Sequence, residues 1–258
     1  MQRSDKYGPW AVVTGASDGI GRALAHRAAA HGCNVVLAAR SEAKLRELAS
    51  ELEHAHPVQT RVVSVDLGHS EGVSTLVDAV DDLDVGLAVL AAGFGSNQNF
   101  TDSDPEIQRD MIAVNVTAVA QLAQCFARRM VARGRGGLML FGSILGWQGV
   151  PGQANYSATK AYVQALAEAL HGELKPAGVD VLSVAPGPVA TGFGSRAGLA
   201  LSSPTTPEVV ADAAWEALGR RVTVVPGRRA KFLTLTLATL PRQIRSVILG
   251  RAMKSMRA

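Results

Sequence analysis

Short apolar runs alternate along this chain with longer segments whose apolar residues recur every three or four positions. That alternation limits the available folds more than any other feature. Trp10–Val13, Asn34–Ala39, Val58–Val65, Gly86–Ala91, Gly137–Phe141, Val179–Val184 and Val222–Val225 read as strands. Several of them are apolar at consecutive positions, which predicts burial on both faces. Between them, helical periodicity covers about Ile20–His31, Ser70–Val80 and Asn155–Leu174. Ser41 stands where an N-cap is wanted, ahead of Glu42, Leu45, Leu48 and Leu52. Asp104-Pro105-Glu106 and Thr206-Pro207-Glu208 look like helix starts, the first running to about Ala132. Strands separated by helices require crossovers, and right-handed crossovers give a parallel sheet covered on both faces. The expected fold class is α/β, with about seven strands in a doubly wound parallel sheet.

With 258 residues, 47% of them hydrophobic, the chain can bury a core without staples. Cys33 and Cys125 lie far apart with no C-x-x-C. This argues against a disulfide framework, a zinc ribbon or any metal site, and fits a reducing, cytoplasmic setting. Met1 to Gly8 is polar, so no secretory signal is expected there, and no uncharged apolar run approaches the roughly 18 residues of a spanning helix. The net charge of +4 is uneven. After Glu216 there are ten basic residues and no acidic one, whereas the first 216 residues carry a net charge of −6. A basic face across a folded body, as nucleic-acid binding would want, is therefore not expected.

After the first strand comes Thr14-Gly15-Ala16-Ser17-Asp18-Gly19-Ile20-Gly21. Glycines there allow a tight turn, close approach of a pyrophosphate and close helix–strand packing, and the following helix supplies unpaired N–H groups. The second strand ends Ala38-Ala39-Arg40. An acid at Ala39 would bond an adenine ribose. Its absence, with a guanidinium at Arg40, favours the 2′-phosphate of NADP(H). Asp66 is placed either to accept from the adenine amino group or to cap its own turn.

Tyr156-Ser157-Ala158-Thr159-Lys160 puts a phenol and an ammonium on one face of a helix. The ammonium is expected to lower the phenol's pKa from near 10, so that it exchanges a proton near neutral pH. Ser143 follows a strand at the end where ligands sit, and its hydroxyl could hold a carbonyl oxygen. Asn115 is polar amid apolar neighbours and needs a partner. Pro186-Gly187 would bring backbone close to a nicotinamide.

Taken together, Thr14–Gly21, Asp66, Asn115, Ser143, Tyr156-x-x-x-Lys160 and Pro186-Gly187-x-x-x-Thr191 resemble the short-chain dehydrogenase/reductase family, over nearly the whole stretch from Trp10 to about Val225. The resemblance implies a Rossmann-type fold at residues 1–231, a substrate lid at about 188–206 and a basic C-terminal tail at 232–258. It implies that Tyr156 donates the proton in carbonyl reduction and that Lys160 lowers its pKa and binds the nicotinamide ribose. Ser143 would orient the carbonyl and Asn115 hold a relaying water, while Thr191 contacts the carboxamide. Gly15, Ser17, Asp18, Gly19, Ile20, Gly21, Arg40, Asp66, Leu67, Ala92, Gly93, Pro186, Gly187 and Val189 would line the cofactor. A homo-oligomer, dimer or tetramer, is implied through the helices bearing Asn115 and Tyr156.

Three departures stand out: Leu90-Ala91-Ala92-Gly93 lacks the family's usual asparagines, Asp18 replaces a residue often basic in NADP-preferring members, and Gly142 replaces a serine. The segments Tyr7–Gly21 and Val35–Arg40 are most similar to the long-chain 3-oxoacyl-CoA reductase and 17β-hydroxysteroid dehydrogenase branch, whose members also carry the aspartate. That similarity implies a large apolar carbonyl or alcohol substrate. The alternatives are an alcohol dehydrogenase of other substrate or a non-catalytic NADP-binding sensor. Phe232–Leu240 and Ile244–Ala252 could form two apolar-striped helices with flanking basic residues. Such a tail would make peripheral contact with an anionic membrane, or would cap the substrate cleft.

Overall fold

A computed structural model describes residues 6–200 and 204–256. The parallel sheet expected from the alternation is present, with seven strands: β1 (Trp10–Thr14), β2 (Asn34–Ala39), β3 (Thr60–Ser64), β4 (Val85–Leu90), β5 (Gly136–Phe141), β6 (Val179–Val184) and β7 (Thr223–Val224). Their order is β3-β2-β1-β4-β5-β6-β7 and every pairing is parallel. The order reverses between β1 and β4, so their carboxyl ends flank the crevice where such folds take ligands.

Period-two alternation divides the strand side chains between two cores. Val13, Leu37, Val89, Met139 and Leu182 pack on one face against Leu24 of α1 (Gly19–Ala30), Leu45 and Leu48 of α2 (Glu42–Ala55) and Trp215 in the C-terminal half. Val12, Val36, Ala88, Leu138 and Val181 pack on the other. Their partners there are Leu76 of α3 (Ser70–Asp78), Leu122 and Phe126 of α5 (Val119–Arg133) and Val163 of α6 (Ala154–Leu174). Truncating fully buried Phe126 to alanine would cost about 3–5 kcal/mol. The Asp104 side chain accepts from Glu106 N at 2.8 Å and opens α4 (Pro105–Ile112), as its sequence suggested. Ser41 holds the N-cap position of α2, but its side chain makes no capping bond there.

The α4–α5 segment is one continuous helix with a π-helical turn at Ala113–Ala118. Among the described residues Pro105–Arg133 is the helix long and apolar enough to cross a membrane, and its inner face packs on the sheet. Beyond β6, the irregular stretch expected from Pro188 carries a short helix, α7 (Gly192–Arg196), and a parallel bridge between Val189 and Thr205. Helix α8 (Pro207–Ala217) leads to β7.

The tail forms two helices, α9 (Arg228–Ala238) and α10 (Arg242–Ser255), the first beginning four residues earlier than the apolar stripe implied. Leu233, Leu237, Leu249 and Met253 close a third apolar cluster with Val150 and with Leu199 of the 188–206 segment. Ala200 N donates to Met256 O at 2.8 Å. The tail thus packs on the 188–206 segment and on the loop after β5, while Phe232, at 71% exposure, and Leu235, at 70%, point outward.

Candidate active site

The turn after β1 is built by its glycines. Gly15 (φ +68°) and Gly19 (φ +55°) adopt left-handed backbone that side chains disfavour. A Cβ on Gly15 would lie 3.0 Å from the Ala92 backbone, and one on Gly19 would lie 2.5 Å from Thr191 Cγ2. Gly21 sits so close to the turn that a Cβ would meet Gly15 O at 2.3 Å. Ala92 N donates to Thr14 Oγ1 at 3.1 Å, fastening the turn to the end of β4. The Asp18 side chain makes no capping bond to α1, and the helix's first turn holds no acidic residue. Its N–H groups and positive dipole end therefore face the crevice. Ser17 and Ile20 belong to this turn and to the first residues of α1.

At the end of β2, Arg40 is 76% exposed on its side chain and lies 3.9 Å from Asp66 Oδ2. Asp66 Oδ1 accepts from Gly68 N at 2.9 Å, so the turn-capping role is present. Leu67 is buried beside it. A turn that admits only glycines, a helix start with no side-chain cap and a largely solvated guanidinium fit a dinucleotide with an extra phosphate.

The π turn presents Asn115 inward, fully buried, and π turns inside α-helices recur at functional sites. Its amide clamps the backbone of one residue: Phe94 N donates to Oδ1 at 3.0 Å and Nδ2 donates to Phe94 O at 2.8 Å. Nδ2 also donates to Thr159 Oγ1 at 3.2 Å. The side chain is therefore occupied in holding the loop after β4 against α6. Gly93 lies beneath it, where a Cβ would be 3.0 Å from Asn115 Oδ1 and 3.4 Å from Lys160 Nζ.

Ser143, Tyr156 and Lys160 meet at the carboxyl end of β5. Ser143 is buried and begins a short 3-10 turn at Ile144–Trp147, its hydroxyl accepting from Leu145 N at 3.2 Å. Lys160, also buried, donates from Nζ to Phe141 O at 2.8 Å and stands 5.7 Å from the centre of the Tyr156 ring. Helix α6 crosses this turn very closely, since a Cβ on Gly146 would come within 2.8 Å of the Lys160 backbone.

The two ionisable groups respond to burial in opposite directions. The Lys160 ammonium is pulled down to about 8. The Tyr156 phenol is pushed up to about 12 by burial, with a hydrogen bond from Ser143 opposing the rise. The expected lowering of the tyrosine by the lysine is therefore not found. Desolvation outweighs it, and the ammonium is directed at the Phe141 carbonyl rather than at the phenol.

Phe193 of α7 closes the site from above, its ring centre 5.6 Å from that of Tyr156. Gly95 makes room for both, because a Cβ there would be 2.9 Å from Phe193 Cζ and from Tyr156 Cδ2. Thr191 Oγ1 accepts from Phe193 N at 3.2 Å, and Ile144 N donates to Pro186 O at 3.2 Å. Val189, which bridges to Thr205, is buried. Gly95, Thr159 and the Phe141 carbonyl were not singled out by sequence patterns. A glycine spacing or a backbone acceptor carries no such signal, although Thr159 does lie inside the Tyr156-x-x-x-Lys160 motif.

Residues 9–199 match the short chain dehydrogenase family. The chain belongs to that family. Among its relatives, a 7β-hydroxysteroid dehydrogenase of Collinsella aerofaciens is 32% identical over 238 residues, covering 90% of each chain. A very-long-chain 3-oxoacyl-CoA reductase of Meyerozyma guilliermondii is 39% identical over 189 residues, covering 68% of this chain and 55% of that protein. Of solved structures, one from work on 7β-hydroxysteroid dehydrogenase stereoselectivity superposes with a TM-score of 0.90 at 30% identity, over 97% of this chain and 100% of the other. A Sphingobium yanoikuyae short-chain dehydrogenase in complex with NADPH gives 0.81 at 30% identity, over 90% and 93%. The steroid-dehydrogenase likeness extends through the C-terminal helices. With 97% of this chain covered, the likeness to that solved structure is not confined to the nucleotide half.

Proposed function

We propose that this short-chain dehydrogenase is an NADP(H)-dependent oxidoreductase that interconverts a carbonyl and a secondary alcohol on a large apolar substrate, such as a 3-oxoacyl thioester or a keto-steroid. The observation that carries the reading is the convergence of Ser143, Tyr156 and Lys160 under Phe193, at the sheet end facing the glycine turn. Bound NADPH supplies the hydride. The substrate carbonyl sits between the Ser143 and Tyr156 hydroxyls, which donate to its oxygen. As the carbon is reduced, Tyr156 passes its Oη proton to that oxygen. A phenol with a raised pKa is neutral at physiological pH, the state a proton donor needs. Lys160 is mainly charged at pH 7 and stabilises the phenolate that proton transfer leaves behind. Asn115 acts through the Phe94 backbone, holding the loop that bears Gly93 and Gly95. Arg40 is the group in place to pair with a 2′-phosphate. In alcohol oxidation the same groups run in reverse.

The exposed face of α6 carries Ala154, Ala158, Tyr162, Ala165 and Ala169, an apolar stripe at helical spacing that supports self-association through this helix. The outward faces of α9 and α10 carry Phe232, Leu235, Ile244, Val247 and Ile248 amid arginines and lysines, which supports contact with an anionic lipid surface. NADPH oxidation against a panel of 3-oxoacyl thioesters, keto-steroids and small aldehydes tests the enzymatic reading. Turnover is expected with the bulky ketones, and no turnover with any carbonyl contradicts it.

A further inference from the structure

Helix α10 meets the approach to the tyrosine helix along one face. Ser246, Leu249, Gly250 and Met253 recur at the three- and four-residue spacing that puts side chains on one side of a helix. Ser246 Oγ donates to Gly149 O at 2.6 Å, and Leu249 shares an apolar cluster with Val150. Gly250 crosses Pro151 so closely that a Cβ would lie 2.9 Å from the ring's Cδ. Met253 stands in the last turn of α10, where a helix leaves its carbonyls without an amide four residues on. Its carbonyl accepts instead from Met256 N at 3.3 Å and from Asn97 Nδ2 at 3.4 Å.

Asn97 reaches that carbonyl from the loop after β4. Asn97 and Gln153 are both buried, and Gln153 Nε2 donates to Asn97 Oδ1 at 3.0 Å. The direction of this bond follows from the tail. The Asn97 nitrogen faces a carbonyl of α10, so its oxygen faces a donor, and Gln153 supplies one. Gln153 directly precedes α6, and its own carbonyl accepts from Ser157 N at 2.8 Å, closing the helical turn that carries Tyr156. The 94–97 loop is thereby pinned at both ends, Phe94 by Asn115 and Asn97 by Gln153 and the tail. Between these ends the Tyr156 ring lies against Gly95.

We propose that the last helix of the tail positions the Tyr156 hydroxyl, with Asn97 as the positioning residue that joins that helix to the start of α6. This rests on the oxidoreductase reading above. A proton donor has to stand within about 3.2 Å of the oxygen it protonates, and a misplacement of about 1 Å costs on the order of a hundredfold in rate. Without the Asn97 amide, Gln153 Nε2 becomes a buried donor with no acceptor, and the start of α6 shifts. A bulkier residue at Gly250 pushes α10 away from Pro151 and disturbs the same approach from the tail side.

The test measures ketone reduction by the full chain carrying Asn97→Ala or Gly250→Val. Each lowers kcat about ten- to hundredfold, while the KM for the ketone and the Kd for NADPH stay within about twofold. Gln243→Ala, exposed on the same helix, alters none of the three. The Tyr156→Phe background separates positioning from general damage. With no hydroxyl left to misplace, Asn97→Ala lowers the residual rate there by less than about twofold. An equal fall in both backgrounds, or an unaltered kcat in either single variant, overturns the proposal and leaves the oxidoreductase reading intact. Fluorine NMR of 3-fluorotyrosine-labelled protein, with the Tyr156 resonance assigned by its loss in Tyr156→Phe, gives a readout without turnover. That resonance moves in Asn97→Ala and Gly250→Val and stays in place in Gln243→Ala. If the wild-type chain reduces no ketone, the oxidoreductase reading fails and the resonance decides, its staying in place in both variants overturning the proposal.

Discussion

Replacing Lys160 by methionine should stabilise this protein at neutral pH and abolish part of its pH dependence. Lys160 is 6% exposed, and burial lowers its pKa from 10.5 to about 8. In this depressed-lysine case the unfolded chain binds the proton more tightly than the folded one. Stability therefore rises with pH between the two values, and the full penalty is present below about pH 8. A shift of that size corresponds to about 3 kcal/mol at pH 7, of which about 2 kcal/mol is recovered by pH 9.5. The methionine variant escapes the penalty but leaves the Phe141 carbonyl without its 2.8 Å donor, a loss of about 1 kcal/mol. The net gain at pH 7 is about 2 kcal/mol, or several degrees in Tm for a domain this long. Urea unfolding of both proteins at pH 7 and pH 9.5 reads the effect. The Cys33 thiol, raised to about 11, titrates in the opposite sense above pH 9, but it is common to both proteins and cancels in the difference. A variant less stable than the wild-type chain at pH 7, or a stability difference that does not change with pH, would refute the reasoning.

Three further outcomes follow from the geometry. Arg40→Ala should weaken NADPH binding about tenfold and leave NADH binding unchanged, because the guanidinium is largely solvated, has only a long 3.9 Å contact to Asp66, and would pair with a 2′-phosphate that NADH lacks. Equal effects on both cofactors, by fluorescence titration, speak against that role. Gly95→Ala should lower kcat about ten- to hundredfold with the NADPH Kd unchanged, since the added methyl displaces the rings of Phe193 and Tyr156. An unaltered kcat would show that the close approach is unimportant. Liposome flotation should recover the full chain with anionic vesicles at low salt and lose it at high salt, or in a Phe232→Ser/Leu235→Ser double variant. Salt-insensitive recovery, or no effect of the double variant, contradicts the membrane reading.

The fold was legible because a parallel strand buried on both faces must be apolar at consecutive positions. Leu87, Ala88 and Val89 are all completely buried, and so are Leu138, Met139 and Leu140. Helix starts at Asp104-Pro105 and Thr206-Pro207 were equally plain, since proline fits only a first turn. Ser41 shows the limit of such signals, because a capping residue type in the right position does not oblige its side chain to bond. The glycine turn and the residues Ser143, Tyr156 and Lys160 could be placed from spacing. Their electrostatics could not, since desolvation depends on what the fold packs around them, the Phe193 ring included, and the sign of the Tyr156 shift reversed on that account. The π turn at Asn115 changes no residue type and so leaves no periodic trace. Nor could spacing reveal that the tail folds back, because the partners Val150, Leu199 and Leu249 are far apart in the chain.

The account rests centrally on Tyr156 as the proton donor. Tyr156→Phe removes one oxygen from a site whose ring contacts with Phe193 would persist. With a ketone that the wild-type chain reduces, the variant should lose about a hundred- to ten-thousandfold in kcat while binding NADPH with the same Kd. Turnover within a few-fold of the wild-type chain, at unchanged NADPH affinity, would contradict it.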